Sequence, residues 1–204
     1  GNTRRFGASL DKIKQVVKAR KGEIMFGLNL VVYKGKTIFV GDTSVHEYPT
    51  SEQMADMAIS AARVVRLFGF DPKVAFVSHS TFGQPLTSRT KHIKNAVEVL
   101  KNKNVNFEFD GDMQPDVALN KEYKNLYPFS KIVGNANILI MPGQHSAAIS
   151  YKMMKELGDT KVIGPLLIGL GLPIEIAPLR SSTSEILNLA SIAAYSADVI
   201  DYKK

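Results

Sequence analysis

Apolar residues stand at Leu10, Ile13, Val16 and Val17, and this three-and-four spacing predicts a helix over 10–17. Met25 to Tyr33 is a run of strand-forming residues. Lys34-Gly35-Lys36 reads as a turn, and Thr37 to Val40 as a returning strand, so a hairpin is predicted. Pro49-Thr50 then opens a helix, with Thr50 as N-cap and Gln53 as its capping-box partner. Met54, Met57, Ala58, Ala61, Val64 and Val65 form its buried stripe, and Gly69 sits where a helix-terminating glycine belongs.

The pattern then alternates. Strands are predicted at 74–78, 105–109, 138–141, 166–168 and 174–177, and helices at 89–100, 115–123, 146–157 and 182–195. Such alternation predicts an α/β fold with a largely parallel sheet flanked by helices. No internal repeat, low-complexity tract or flexible linker is visible.

Composition narrows the picture. The 204 residues suffice for one domain or two small ones, and 45% hydrophobic content is that of an ordinary soluble globule. The chain has no cysteine, which excludes disulfides and thiol chemistry and fits a reducing, cytoplasmic setting. No apolar run is long enough for a membrane span, and no signal peptide opens the chain. Gly1 reads as an expression scar, and the missing initiator methionine suggests a piece of a longer polypeptide. The net charge of +7 fits a solvated basic surface or attraction for a polyanion such as coenzyme A or phosphate. Nucleic acid is disfavoured, because the lysines are scattered and no recognition motif is present.

Several residues could carry chemistry. Ser78, Ser80 and Thr81 end a predicted strand and precede Gly83, where hydroxyls and backbone amides suit phosphate; turn chemistry is the alternative. His79 reads as a surface or packed histidine. Asp110, Asp112, Gln114 and Asp116 lack the spacing of a calcium loop. They read as a turn and helix N-terminus, or as a polar wall of a cleft. Ser182 and Glu185 form a capping box at a helix start.

In order, Asn137-Ile-Leu-Ile-Met-Pro142, Ile163-Gly-Pro-Leu-Leu-Ile-Gly169 and Ser182-Thr-Ser-Glu-Ile-Leu-Asn188-Leu-Ala resemble the phosphate acetyl/butyryl transferase family. The family's last loop reads roughly Ser-Arg-Gly-Cys-Ser-x-Glu-Asp-Ile-Val-Asn-Leu. Registered on Asn188-Leu189, its catalytic Ser and Arg fall on Pro178 and Leu179, and its Asp on Glu185. Proline and leucine cannot bind an acyl phosphate, so the usual chemistry is expected to be absent. Thr3-Arg4-Arg5-Phe6, Gly41-Asp42-Thr43-Ser44-Val45, Val77 to Gly83 and Asp110 to Asp116 are most similar to one branch. That branch is the C-terminal phosphotransacetylase-like domain of bacterial NADP-dependent malic enzymes.

The resemblance implies two α/β/α subdomains with mainly parallel sheets and a ligand cleft between them. The first would be residues 1–47 plus 176–204, and the second, inserted one 48–175. It brings Gly164 and Pro165 to the cleft border, along with Pro142 and Gln144 from the altered run Pro142 to Ala148. Arg180, one position past the lost arginine, could hold an anion with Ser181 and Ser182 at a helix N-terminus. Asp11 stands where the family has a phosphate-binding arginine. The expected role is regulatory and oligomerising, with acetyl-CoA or a similar acyl metabolite as ligand and an N-terminal malic-enzyme domain as partner. No metal site and no cofactor are expected in this stretch; NADP and a divalent metal would belong to the parent enzyme. An active phosphate acyltransferase and a purely structural assembly module are the alternatives.

Overall fold

The computed structural model describes residues 5–200. Thr3 and Arg4 of the quoted N-terminal motif, with Gly1, lie outside them. The elements are α1 (Phe6–Val16), β1 (Phe26–Tyr33), β2 (Lys36–Gly41), α2 (Ser51–Leu67), β3 (Lys73–Val77), α3 (Ser88–Lys101) and β4 (Glu108–Met113). There follow α4 (Pro115–Leu119), α5 (Lys121–Lys124), β5 (Ile138–Ile140), α6 (Gln144–Leu157), β6 (Thr160–Ile168) and α7 (Thr183–Val199).

One six-stranded sheet has the order β4-β3-β5-β2-β1-β6. Strands β4, β3, β5 and β2 are parallel neighbours, and β1 runs antiparallel to both β2 and β6. The hairpin is β1–β2, turning at Lys34 and Gly35, both with positive φ. Hydrogen bonding is continuous from β4 to β6, so residues before 48 share the sheet with those after it.

Crossover handedness sets where the helices go. The connections from β2 to β3 and from β3 to β4 move toward one sheet edge, whereas β5 to β6 moves toward the other. Right-handed crossovers in opposite directions put their helices on opposite faces. Accordingly Met54, Ala58 and Val65 of α2 and Ile93, Val97 and Leu100 of α3 pack with Phe39, Phe76 and Ile140 in one core. Ala147 of α6 and Val117 of α4 pack with Val40, Val77 and Leu139 on the other face. A third small core joins Leu10 of α1 to Leu167, Leu170 and Ile176.

Four expectations are corrected. The strand at 105–109 begins instead at Glu108, where the ladder with Lys73 starts. Phe107 stacks edge-on to Phe109 and packs on the core from outside the ladder, so its apolar alternation mimics a strand. Asp110 and Asp112 therefore lie within β4 rather than in a turn. The helix at 115–123 breaks at Asn120, whose side chain accepts from Glu122 N and caps a separate α5. The strand at 166–168 instead begins at Thr160, so Gly164 and Pro165 lie inside β6, and their peptide bond is cis. Gly164 has φ of 123°, which favours glycine, and the β1–β6 register shifts opposite it, between Leu28 and Leu30. Residues 174–177 form no strand; Glu175 reaches back to accept from Leu167 N at 2.9 Å.

Candidate functional site

Where neighbouring parallel strands send their helices to opposite faces, the strand ends part and leave a crevice. Strand β5 lies between β3 and β2 and sends α6 to the face opposite α2 and α3. A crevice of about 320 Å³ opens there. Its walls are Glu47, Tyr48 and Pro49 after β2, the first turns of α3 with Ser88, Arg89, His92 and Ile93, and the β5–α6 corner with Pro142, Gly143, His145 and Ser146.

Asp42 builds the first wall. Its fully buried carboxylate accepts N–H bonds from Gly27, Ser44 and Val45 at Oδ1, and from His46 backbone and Nδ1 at Oδ2, all at 2.7–3.1 Å. Charge-assisted bonds of this number fix the turn that carries residues 46–49 across the start of α6. There Gln144 N donates to His46 O at 3.1 Å. A Cβ on Gly143 would lie 2.3 Å from Glu47 O, so only glycine lets the two segments meet.

His92 ties the second wall to the first. Its Nε2 lies 2.8 Å from Pro49 O, an acceptor, so Nε2 donates. Its Nδ1 lies 3.1 Å from Ser51 Oγ, which is also 2.9 Å from His92 O. His145 Nε2 and Glu47 Oε1, 3.1 Å apart, form an exposed pair at the mouth, of small energetic weight.

The rim is electropositive by construction. Helices α3 and α6 both point their N-termini at the crevice, and first-turn amides have no partner within their own helix. Thr87 caps α3 by accepting from Thr90 N, a capping box the sequence reading missed. Arg89 is exposed and pairs with no carboxylate among the described residues. Tyr48, Pro49, Ile93 and Pro142 supply apolar surface. This combination suits an anionic ligand with an apolar or planar body.

The residues singled out from sequence fall into separate places. Pro142 lines the crevice and Gln144 begins α6 beside it. Ser78, Ser80, Thr81 and Gln114 come together at the ends of β3 and β4, but their polar atoms turn inward. Ser80 Oγ donates to the buried Asp112 carboxylate, which also accepts from Gly83 N. Ser78 Oγ accepts from Ser80 N, Thr81 Oγ1 from Gln114 N, and Gln114 Nε2 donates to His79 O. Asp116 Oδ1 accepts from Val117 N at the start of α4. Gly164 and Pro165 in β6 do not line the crevice, nor do Arg180, Ser181, Ser182 and Glu185. Ser182 and Glu185 form the expected capping box of α7. The Lys155 ammonium, 2.9 Å away, holds the Glu185 carboxyl below the usual range, with Ser182 N adding to it. Leu179 is exposed and Pro178 O accepts from Ser181 N.

The model of the family described as phosphate acetyl/butaryl transferase matches residues 1–194. A NADP-dependent malic enzyme of Rhizobium meliloti is 43% identical over 197 residues, which is 97% of this chain and 26% of that protein. A phosphate acetyltransferase of Clostridium acetobutylicum is 33% identical over 193 residues, covering 90% of this chain and 58% of the relative. The solved structure of a phosphotransacetylase from Streptococcus pyogenes superposes with a TM-score of 0.90 at 28% identity, over 97% of this chain and 61% of that one. The chain therefore spans about a quarter of the length of the malic enzymes it matches.

Proposed function

The chain belongs to the phosphate acetyl/butaryl transferase family, and from that premise we propose that it is the regulatory and assembling domain of a NADP-dependent malic enzyme, binding acetyl-CoA or a similar acyl metabolite without transferring the acyl group. The observation that carries the reading is the pair Pro178-Leu179 where the family has Ser-Arg. Acyl transfer from a phosphate to a thiolate builds charge on oxygen, and catalysis needs donors or cations preorganised there. A proline nitrogen and a leucine side chain offer neither. Likeness to malic enzymes across nearly the whole chain supports the assignment of the parent.

The parent enzyme would oxidise and decarboxylate malate to pyruvate with NADP and a divalent metal. Both groups are assigned to the part of the parent outside this chain, which covers about a quarter of the malic enzymes it matches. The crevice at the strand ends supplies the effector site in this reading. Effector binding there would bias the distant malate site by a reciprocal coupling of about 1–3 kcal/mol. Assembly into a closed two-fold dimer or larger is the expected quaternary state.

The test is an assay of CoA release from acetyl-CoA with phosphate present. No release above background is expected; turnover of about 1 s⁻¹ or faster would establish a working transferase instead.

A further inference from the structure

A second cavity lies well away from the crevice, under α7. It is partly open, about 50 Å³, and walled by Val64 and Leu67 of α2, Leu166 and Ile168 of β6, and Ile192 and Ala193 of α7. Tyr195 OH reaches Leu67 O at 3.4 Å and closes α7 over it. Two carboxyls line this apolar space. Glu23 Oε1 is held by Arg20 at 3.1 Å and Arg63 at 2.9 Å, but Glu23 Oε2 is buried with no hydrogen-bond partner. Glu175 uses one oxygen to accept from Leu167 N. Burial pushes its carboxyl up to about 8, against the Leu167 N–H, so at neutral pH it keeps its proton.

We propose that this cavity is a binding site for a short aliphatic carboxamide. The lining holds an acceptor that lacks a donor, Glu23 Oε2, and a donor, the Glu175 hydroxyl. An amide satisfies both: its N–H donates to Glu23 and its carbonyl accepts from Glu175. A carboxylate has no N–H to give Glu23 Oε2, and an ammonium has no acceptor for the Glu175 hydroxyl. The volume limits the buried part to a few heavy atoms, and apolar walls favour a carbon chain over a cluster of water. The amide can come from a small free molecule or from the end of an amide-bearing arm on a larger ligand.

The experiment is an amide chemical-shift titration of the whole chain with propionamide at about pH 6.5. Saturable shifts at Leu67, Leu167 and Ile192 are expected, with a Kd in the millimolar range typical of about five heavy atoms. Propionate and propylamine should leave those signals in place. Ala193→Leu, which fills the space, should weaken binding at least about tenfold. Glu23→Gln, which need not disturb packing, should weaken it by about fivefold or more. N-propylpropionamide separates the sources: tighter binding indicates the arm of a larger ligand, and exclusion indicates a free small amide. No saturable shift up to about 50 mM, or equal shifts with propionate or in Ala193→Leu, would leave water as the occupant and overturn the proposal.

Discussion

Glu175 couples the proton to folding. A carboxyl raised to about 8 keeps its proton in the folded chain while the unfolded chain has released it. Between the ordinary glutamate value and about 8, the folded state binds more protons, so stability falls as pH rises through that window. The slope approaches about 1.4 kcal/mol per pH unit in its middle. Glu175→Gln carries no such proton. It is expected to exceed the wild type in stability by about 2–4 kcal/mol near pH 8 and to converge with it near pH 5. Urea unfolding of both proteins at three pH values measures the difference, and parallel pH curves would contradict it. Nothing in the sequence marks Glu175: it stands in Pro173-Ile-Glu175-Ile-Ala, which reads as a short strand. Only the reach to Leu167 N and the cover of α7 make it a buried acid. Thr50 with Gln53 and Ser182 with Glu185 were legible because a capping box is complete within four residues.

At the scale of elements, two glycines separate backbone strain from lack of space. Gly69 ends α2 with φ of 81°, and a Cβ there would meet nothing within 4 Å. Gly169 follows β6 with φ of 83°, and a Cβ there would lie 2.1 Å from Ile24 O. Gly69→Ala is expected to cost about 1–2 kcal/mol, the strain of a left-handed residue alone. Gly169→Ala adds a backbone collision and is expected to cost more than about 3 kcal/mol. Thermal unfolding of the two variants checks the order, and equal losses would show that the Ile24 segment yields freely. Most elements were legible from apolar spacing, because each helix and strand buries one face. Strand β4 was displaced because its start is set by pairing with β3, some 35 residues earlier, and by carboxylates whose partners lie on other segments. The break at Asn120 turns on one side-chain cap, which apolar periodicity does not register.

For the whole molecule, the direction of the crossovers decides where a ligand can sit. The crevice draws on residues 47–49, 88–93 and 142–146. In the sequence these are a proline-containing loop and two helix starts, with no shared motif, and His92 looks like any residue on a helix face. The hydroxyls that did stand out, Ser78, Ser80 and Thr81, serve the buried Asp112 and the start of α4. The family resemblance reached the fold, while Arg89, His92 and His145 needed the sheet order. A basic chain with two helix N-termini and Arg89 at one opening should attract a polyanion, and attract it less as salt rises. The most direct measurement is a calorimetric titration of acetyl-CoA into the wild type, Arg89→Ala and Arg180→Ala. Saturable binding is expected, weakened by about 1–3 kcal/mol in Arg89→Ala and unchanged in Arg180→Ala. No heat at millimolar acetyl-CoA, or equal binding in wild type and Arg89→Ala, would contradict the crevice as the effector site.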